Sequence, residues 1–516
     1  MKKTILLLSI VILYPLVAQS KTLDESRIAE INQITNQSNI LQLQSYMQAG
    51  KLSAEELTRF YLHQIKTDNP KLKAIIAVNP KALSLAKSLD QERASGKVRG
   101  LLHGIPVVVK DNIETKTMPT TAGSLALKNN HTHRDATLVR NLKKSGAIIL
   151  AKTNLSEWAN FRSERSSSGW SGMGGQTRNP LDLNRSPCGS SSGSAAAVAG
   201  NLAVAAVGTE TDGSITCPSA ATGIVGIKPT LGLVSRYGVV PLAHSQDTAG
   251  PMTKSVTDAA IMLAAMQGED KNDSATTSSK FNHKDNYTDS DLNKNQSLKG
   301  LRIGLLESRV KPHEGVEAVY AQAIEKLKQS GAVLVPDLKT TKHDGFREDS
   351  YSVLLYEFKH DINQYLAALP NKLNHLTLEK LIEFNRDHAD QEMPYFKQEI
   401  FVKAQEKGSL NDPEYLAALK RVKKTTKEEL ERLVAENNLD IIISPTLGPA
   451  WSIDQINGGK YTGGYSSFSA ISGYPYLTLP MGKVHHLPIG LSVIGLSKED
   501  GKVIQVAQAI EKVLKN

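Results

Sequence analysis

The chain has 516 residues, of which 40% are hydrophobic and only 5% aromatic, and 37 of them are glycine. This composition excludes a disordered or fibrous protein and fits a large α/β enzyme whose core is built from small aliphatic side chains. The net charge of +9 is spread along the chain, and the densest basic run, Lys420–Lys427, is followed by acidic residues, which is typical of a solvated helix. We therefore expect no nucleic-acid partner.

The first twenty residues have the layout of a secretory signal. Lys2 and Lys3 precede a nearly apolar stretch, residues 5–17, and Ala18-Gln19-Ser20 offers the small residues that a signal peptidase requires. A membrane anchor is the alternative, but the stretch is shorter than the roughly 20 residues of a span and contains a proline. We predict a signal peptide over 1–20, an exported protein that is periplasmic or secreted, and no stable membrane anchor after cleavage.

The remaining chain alternates short apolar strands with helices. Residues 23–87 are predicted to be mostly helical, with a capping box at Ser53-Ala-Glu-Glu56. The clearest predicted strands are 105–109, 147–150, 202–208, 303–306, 333–335, 441–444, 477–479 and 488–495, and further helices are predicted at 194–201 and 501–514. This order predicts an α/β fold with a large central sheet covered by helices on both faces.

A polar segment at about 268–296 interrupts this alternation. It is rich in Asn, Asp, Lys, Ser and Thr and predicts an exposed or partly disordered connection. It could mark a domain boundary. We interpret it as a surface insertion within one domain, 21–516, because the strands on both sides are predicted to belong to one sheet.

A lysine ends one of the predicted buried strands, in Gly104-Ile-Pro-Val-Val-Val-Lys110. Burial disfavours the charged ammonium and lowers the pKa of the amine, which can make it a general base near neutral pH. The alternative is a structural lysine that reaches solvent or pairs with Asp111.

A serine-rich loop, Ser186-Pro-Cys-Gly-Ser190-Ser-Ser-Gly-Ser194, leads into a predicted alanine-rich helix. Such a loop places hydroxyl and backbone N–H groups around one point. Phosphate binding is one interpretation, although the lysine of a P-loop is absent, and a flexible linker is another.

A third segment, Gly208-Thr-Glu-Thr-Asp-Gly-Ser214, follows a predicted strand and has the composition of a tight turn. Successive N–H groups in such a turn can converge on a developing oxyanion, and a serine at its end can attack the carbonyl carbon. The alternative is an ordinary polar surface turn.

Together, and in this order, the three segments resemble the amidase signature family. Similarity continues in Gln176–Pro180, Gly223–Leu233 and Asp247–Pro251, and covers nearly the whole mature chain. The chain departs from the family pattern at four positions: Cys188, Ser192 and Asp212 replace glycine, and Glu210 replaces aspartate. These variants resemble the peptide amidases of the family, which act on C-terminal peptide amides, more than the tRNA-linked amidotransferase subunit.

The resemblance implies an amidase-signature fold, with a large mixed central β-sheet covered by helices on both faces, and a Lys–Ser–Ser catalytic triad. Ser214 is the expected nucleophile, Ser190 the proton relay and Lys110 the base, with the N–H groups of Thr211, Asp212, Gly213 and Ser214 as the oxyanion hole. The family also implies a cis peptide bond between Gly189 and Ser190. A small-molecule or peptide amide is the expected substrate, and no metal or organic cofactor is expected.

Two alternative functions can be formulated from the same residues. Gly189-Ser-Ser-Ser-Gly193 fits the nucleophile elbow of α/β-hydrolases, with Ser191 as nucleophile and His485 or His486 as base, although the preceding residues are a poor strand. A secreted scaffold without activity is the other. General aliphatic or aryl amides are alternative substrates. Whether Cys188 and Cys217 form a disulfide is left open, but two cysteines are too few for a four-cysteine metal site.

Overall fold

The computed structural model describes residues 23–278, 281, 297–370 and 372–515. The predicted signal peptide, 1–20, lies outside these residues. No helix in the described part of the chain combines the length and apolar character that a membrane crossing demands.

Eleven of the thirteen strands in the described residues form one mixed sheet, in the order β1-β3-β2-β6-β8-β7-β12-β13-β11-β9-β10, and β4 pairs with β5. The strands are β1 (Ile75–Val78), β2 (Pro106–Lys110), β3 (Ile148–Thr153), β4 (Trp170–Ser171), β5 (Gly175–Gln176), β6 (Ala205–Glu210), β7 (Val225–Lys228), β8 (Thr248–Thr253), β9 (Arg302–Leu306), β10 (Val333–Leu338), β11 (Ile441–Pro445), β12 (Tyr476–Val484) and β13 (Leu487–Ile494).

Helices precede, connect and follow these strands. They are α1 (Glu25–Gln37), α2 (Ile40–Gln48), α3 (Ala54–Leu72), α4 (Ala82–Ala94), α5 (Thr137–Lys144), α6 (Ser192–Ala199), α7 (Thr216–Thr222), α8 (Val256–Met266), α9 (Ser274–Ser278), α10 (Glu314–Gln329), α11 (Phe346–Ala367), α12 (Leu378–Asp387), α13 (Ala389–Glu392), α14 (Glu399–Gln405), α15 (Pro413–Asn437), α16 (Ser466–Ser472) and α17 (Asp500–Lys515), with short 3-10 turns at Leu125–Leu127 and Glu157–Asn160.

The central strands of the sheet are covered on both faces. Every residue of β2, β3, β6, β8, β11 and β13 is buried, so neither the odd nor the even side chains of these strands reach solvent. Because alternate side chains point to opposite faces, both faces must carry packed layers. The prediction of a large mixed sheet between helical layers is therefore confirmed.

Three neighbouring strands, β3, β2 and β6, run parallel and determine where polar residues gather. Val107 to Val109 pair with Ala205 to Val207 in register, and Lys110 pairs with Thr153. The carboxyl ends of parallel strands meet at one edge of a sheet. Lys110 at the end of β2 and Thr209 near the end of β6 are thereby brought to the same edge.

The predicted elements correspond to observed ones except around β1, and four observed strands, β4, β5, β7 and β8, were not predicted. The capping box of α3 is present, and Ser53 and Glu56 exchange both hydrogen bonds. The predicted helical stretch 23–87 is interrupted by β1, which is only four residues long. Strands β7 and β8 were not predicted, because their sequences VGIK and TAGPMT contain the glycines and proline that usually mark turns.

The polar segment predicted at 268–296 is described only in its first part. Six of the eleven residues 268–278 are exposed, and two buried carboxylates fasten the segment to the body. Asp270 accepts a hydrogen bond from Ser235 at 2.7 Å, and Asp273 forms an ion pair with Arg236 at 2.6 Å. The strands before and after the segment lie in one sheet, as expected. Residues 279–280 and 282–296 lie outside the described residues.

Candidate active site

Lys110 is fully buried at the end of β2, and its amine reaches three oxygen atoms. The Nζ atom lies 2.7 Å from Ser190 Oγ, 2.8 Å from Thr209 Oγ1 and 3.2 Å from the Thr209 carbonyl oxygen. Burial lowers the pKa of Lys110 to about 7, against the opposing charges of Asp247 and Glu210. A substantial fraction of neutral amine is therefore available near neutral pH.

Asp111, the residue after Lys110, does not pair with it. The Asp111 carboxylate forms a fully buried ion pair with Lys152 at 2.8 Å and also accepts the backbone N–H of Thr121 at 3.1 Å. Adjacent residues of a strand point to opposite faces of the sheet, which explains the separation. The structural alternative for Lys110, contact with solvent or with Asp111, is therefore wrong.

The serine hydroxyls of the serine-rich loop have different hydrogen-bond partners. Ser191 donates to the Thr209 carbonyl at 3.0 Å, Ser192 to the Cys188 carbonyl at 2.7 Å and Ser194 to the Val207 carbonyl at 3.0 Å. Ser190 is the serine of this loop whose hydroxyl meets the lysine amine. The predicted cis peptide bond between Gly189 and Ser190 is present. These bonds also exclude the flexible-linker interpretation.

The turn after β6 is braced by a buried carboxylate. Glu210 Oε2 accepts the N–H groups of Ile215 and Thr216 at 2.8 and 2.9 Å, and so fixes the start of α7 directly after Ser214. Gly213 supplies a left-handed φ of 78°, which lets the chain reverse between β6 and α7. The segment is therefore a fixed turn and not an ordinary surface loop.

Backbone N–H groups of this turn are free to bind a ligand. Within the described part of the chain, no protein group accepts a hydrogen bond from the N–H of Asp212, Gly213 or Ser214. The fourth predicted residue, Thr211, directly follows β6, and its hydroxyl donates to Asp247 at 2.6 Å. Unpaired, converging N–H groups are what an oxyanion hole requires.

Ser214 lies in the wall of a cleft, with 8% of its surface exposed. The cleft has a volume of about 430 Å³, and all four residues of the predicted oxyanion turn line it. Among the described residues, the hydroxyls of Ser214 and Ser190 are not hydrogen-bonded to each other. Their loops are joined instead by the Ser191 N–H, which donates to the Ser214 carbonyl at 3.1 Å.

A disulfide joins the two serine-bearing loops. Cys188 and Cys217 are bonded, with their Cα atoms 6.0 Å apart, and both line the cleft. Cys188 precedes Ser190 by two residues, and Cys217 lies in the first turn of α7. The disulfide therefore fastens the loop of Ser190 to the helix that follows Ser214.

Several residues that shape the site were missed by sequence reasoning. Thr209 was part of a recognised segment, but only the register of β6 against β2 shows that it contacts Lys110. Asp247 holds Thr211 and also accepts the N–H groups of Leu242 and Ala243. Three successive residues, Trp158–Asn160, are left-handed although the sequence carries no glycine there, and the last two of them line the cleft.

The α/β-hydrolase alternative is contradicted by the geometry. The Ser191 hydroxyl is fully buried and exchanges hydrogen bonds with the main chain of Thr209. No strand precedes it, and the proposed bases lie in the turn between β12 and β13, where His486 faces Asp182 at 3.3 Å. Ser191 is thus neither exposed nor paired with a histidine.

One group within the described residues has the composition of a metal site. His244, Glu357 and Asp361 place one potential ligand atom each within 4.8 Å of the others. Their polar atoms already bond one another or the protein: His244 Nδ1 lies 2.9 Å from Asp361, and Glu357 accepts the Tyr415 hydroxyl at 2.8 Å. None of the three residues lines the cleft of Ser214.

Comparison with known proteins identifies the family. The profile of the family described as Amidase matches residues 56–504. The structure of native peptide amidase from Stenotrophomonas maltophilia is 44% identical, with a TM-score of 0.88 over 93% of this chain and 97% of that one. The structure of the peptide amidase PAM with the competitive inhibitor chymostatin is 45% identical, with a TM-score of 0.89 over 92% and 97%.

A more distant relative has a different named role. One subunit of the glutamyl-tRNA(Gln) amidotransferase of Caldanaerobacter subterraneus is 35% identical over 92% of this chain and 96% of its own length. The chain thus belongs to the amidase family and is an amidohydrolase that acts on amides. Its identity to the two peptide amidase structures exceeds its identity to this amidotransferase subunit.

Loss of the disulfide should destabilise the protein. The two cysteines are separated by 29 residues, and a loop of that size corresponds to about 3–4 kcal/mol of unfolding free energy when its cross-link is removed. We expect the unfolding free energy of C188A/C217A, measured by denaturant titration, to be lower by that amount, and dithiothreitol to destabilise the wild type similarly. The double variant in dithiothreitol is the control and should show no further change. Equal unfolding free energies of wild type and variant would contradict the expectation.

Proposed function

We propose that this amidase hydrolyses carboxamides through an acyl-enzyme on Ser214, that its substrates are C-terminal peptide amides, and that it acts outside the cytoplasm. The observation that carries the mechanism is the 2.7 Å contact between the buried Lys110 amine and Ser190, beside a turn whose N–H groups are unpaired. An amine near its pKa, a hydroxyl and a set of free donors are the parts that acyl transfer needs.

In the proposed reaction, the Ser214 oxygen attacks the amide carbonyl carbon while its proton passes to Ser190. Ser190 gives its own proton to neutral Lys110. The carbonyl oxygen becomes an oxyanion, stabilised by the N–H groups of Asp212, Gly213 and Ser214 together with Thr211. Lys110 then returns the proton through Ser190 to the departing nitrogen, and ammonia leaves. Water then attacks the Ser214 ester with the same proton relay, and the carboxylic acid is released.

Two features support peptide amides as the substrate class. Two structures with 44–45% identity are of peptide amidase, and one of them holds the competitive inhibitor chymostatin. The substitutions that set this chain apart from the common family pattern, Cys188 and Asp212, both line the cleft. The alternative, a general aliphatic or aryl amidase, shares the same mechanism and differs in the cleft walls.

The disulfide supports export, because such bonds form and persist in oxidising compartments and are rare in the cytosol. When the full chain is expressed in a bacterium with a periplasm, we expect the protein in the periplasmic or secreted fraction. Its N-terminus should be Lys21. Recovery of the intact chain, with Met1 and residues 2–20, from the cytoplasm alone would contradict export.

Ammonia release from a panel of amides tests the substrate class. We expect the highest kcat/KM for C-terminal peptide amides, and lower values for free asparagine and glutamine, for aryl amides and for fatty amides. A higher kcat/KM for aryl or fatty amides would replace the peptide-amide proposal with a general amidase.

The same assay tests the nucleophile. S214A should lose at least about a thousandfold in kcat, as removal of a serine nucleophile does in other acyl-transfer enzymes, and should not be labelled by a fluorophosphonate. S191A is the matched control, because Ser191 is a neighbouring serine whose hydroxyl bonds only main-chain groups. Labelling that persists in S214A and disappears in S191A would reverse the assignment, and no labelling of the wild type would favour an inactive scaffold.

The pH dependence of kcat/KM tests Lys110 as the base. Its pKa is lowered to about 7, so the neutral fraction falls about tenfold per pH unit below that value, and activity should fall with it. D247N removes a negative charge that raises the pKa of Lys110, and should move the profile to lower pH. A wild-type profile that stays flat down to about pH 4 would exclude the lysine as base.

A further inference from the structure

Asp212 places a carboxylate in the wall of the cleft, two residues before Ser214 along the chain. The residue is exposed, whereas Thr211 and Gly213 on either side are buried. The carboxylate accepts the hydroxyl of Ser466 on one oxygen and that of Ser467 on the other, both at 2.6 Å. Desolvation by the surrounding protein raises the pKa of the Asp212 carboxyl above its ordinary value. The two hydroxyl donors oppose that rise, because they favour the ionised form.

None of the described residues that line the cleft is basic, so none of them neutralises this charge. The carboxylates of the lining are Asp212 and Glu164, and Glu164 forms an ion pair with Lys403 at 2.5 Å. Within the described residues Asp212 has no ion-pair partner. Two lysines outside the lining, Lys342 and the fully buried Lys228, favour the ionised form of Asp212 and lower its pKa, but neither forms an ion pair with it. The Lys342 amine lies over the ring of Phe346 at 4.8 Å. Asp212 is thus the unpaired acidic group of the described cleft lining.

The position of Asp212 brings this charge close to the reacting amide. Residues two apart have Cα atoms separated by at most about 7 Å, so Asp212 and Ser214 occupy neighbouring parts of the same cleft wall. The low-dielectric protein around a cleft strengthens such an interaction relative to bulk water. A charged group next to the scissile carboxamide therefore experiences the Asp212 field.

We propose that Asp212 is a specificity-determining residue that favours amides with a positive charge beside the scissile carboxamide and disfavours those with a carboxylate there. The inference rests on the proposed role of Ser214 as nucleophile. The amidase-signature pattern has glycine at this position, so the selectivity is separate from the shared mechanism. The same charge repels the carboxylate product and so assists its release.

The test uses three N-acetylated dipeptide amides whose C-terminal residue is lysine, glutamine or glutamate. For the wild type we expect kcat/KM to decrease in that order. D212N and D212G should each lower the lysine-to-glutamate ratio by about tenfold, the size of effect that a single nearby charge produces in a partly hydrated cleft. An unchanged ratio in folded variants would overturn the proposal.

Two variants separate charge from structure. S467A removes one hydrogen bond to Asp212 but keeps the carboxylate, and should leave the ratio within about twofold of the wild type, by the modest net effect of one hydrogen bond. E164Q removes the other cleft carboxylate, which Lys403 already pairs, and should change the ratio less than D212N does. A larger change in S467A than in D212N would overturn the proposal, because position, and not charge, would then set the ratio.

Further measurements keep the outcomes distinct. If D212N and D212G fail to fold, the wild-type ratio is measured from low to high salt, where screening should reduce it, and a salt-independent ratio would overturn the proposal. If the wild type does not hydrolyse the glutamine peptide amide, the peptide-amide function has failed. The charge ratio is then measured on small carboxamides that the enzyme hydrolyses, with and without an ammonium group, and equal ratios in wild type and D212N would overturn the inference.

Discussion

A lysine amine kept out of water at the end of β2 is the constraint on which the site depends. Lowering the pKa of Lys110 from 10.5 to about 7 costs the folded state roughly 5 kcal/mol, at about 1.36 kcal/mol per unit. The fold must supply that energy from its packing. The apolar residues of β2 and the covered faces of the sheet do so, because they keep water away from the fully buried amine.

The charges around the lysine are arranged so that none of them becomes its direct partner. Asp111 is the nearest carboxylate in sequence, but it forms an ion pair with Lys152. Asp247 and Glu210 raise the pKa of Lys110 only from a distance, because Asp247 is occupied by Thr211 and Glu210 by the first N–H groups of α7. Each of these carboxylates is therefore bound to another group, and for that reason none of them forms an ion pair with Lys110.

Much of this arrangement can be predicted from sequence, because its signals are local. A lysine after four apolar residues, a serine cluster before an alanine-rich helix and a glycine-containing turn each specify a short piece of backbone. The identification of Ser190 as the relay among its neighbouring serines does not follow from a local signal. Motif register selects it, but the physical reason is that Ser191, Ser192 and Ser194 bond main-chain carbonyls, which only the packed loop shows.

Contacts between distant residues were beyond the same reasoning. Ser466 and Ser467 follow Asp212 by 254 and 255 positions, and nothing in their local sequence indicates the hydrogen bonds that they make. Strands β7 and β8 were missed because the sheet overrides their glycines and proline. In Gly250 of β8, the absence of a side chain is needed, since a Cβ atom there would clash with the Ile227 carbonyl oxygen.

The turn of Ser214 lies between the buried Lys110 and the open cleft. On its inner side, Glu210 and Asp247 fasten it to the sheet edge where Lys110 ends. On its outer side, Asp212 faces the cleft and is held by α16, which packs against the C-terminal half of the sheet. One short segment thus carries the nucleophile, the unpaired N–H groups and the charged wall. A substitution that changes which substrates the cleft accepts must leave the backbone of this segment intact. Replacement of the Asp212 side chain meets that condition, because the hydrogen bonds of Glu210 and the left-handed Gly213 determine the path of the turn.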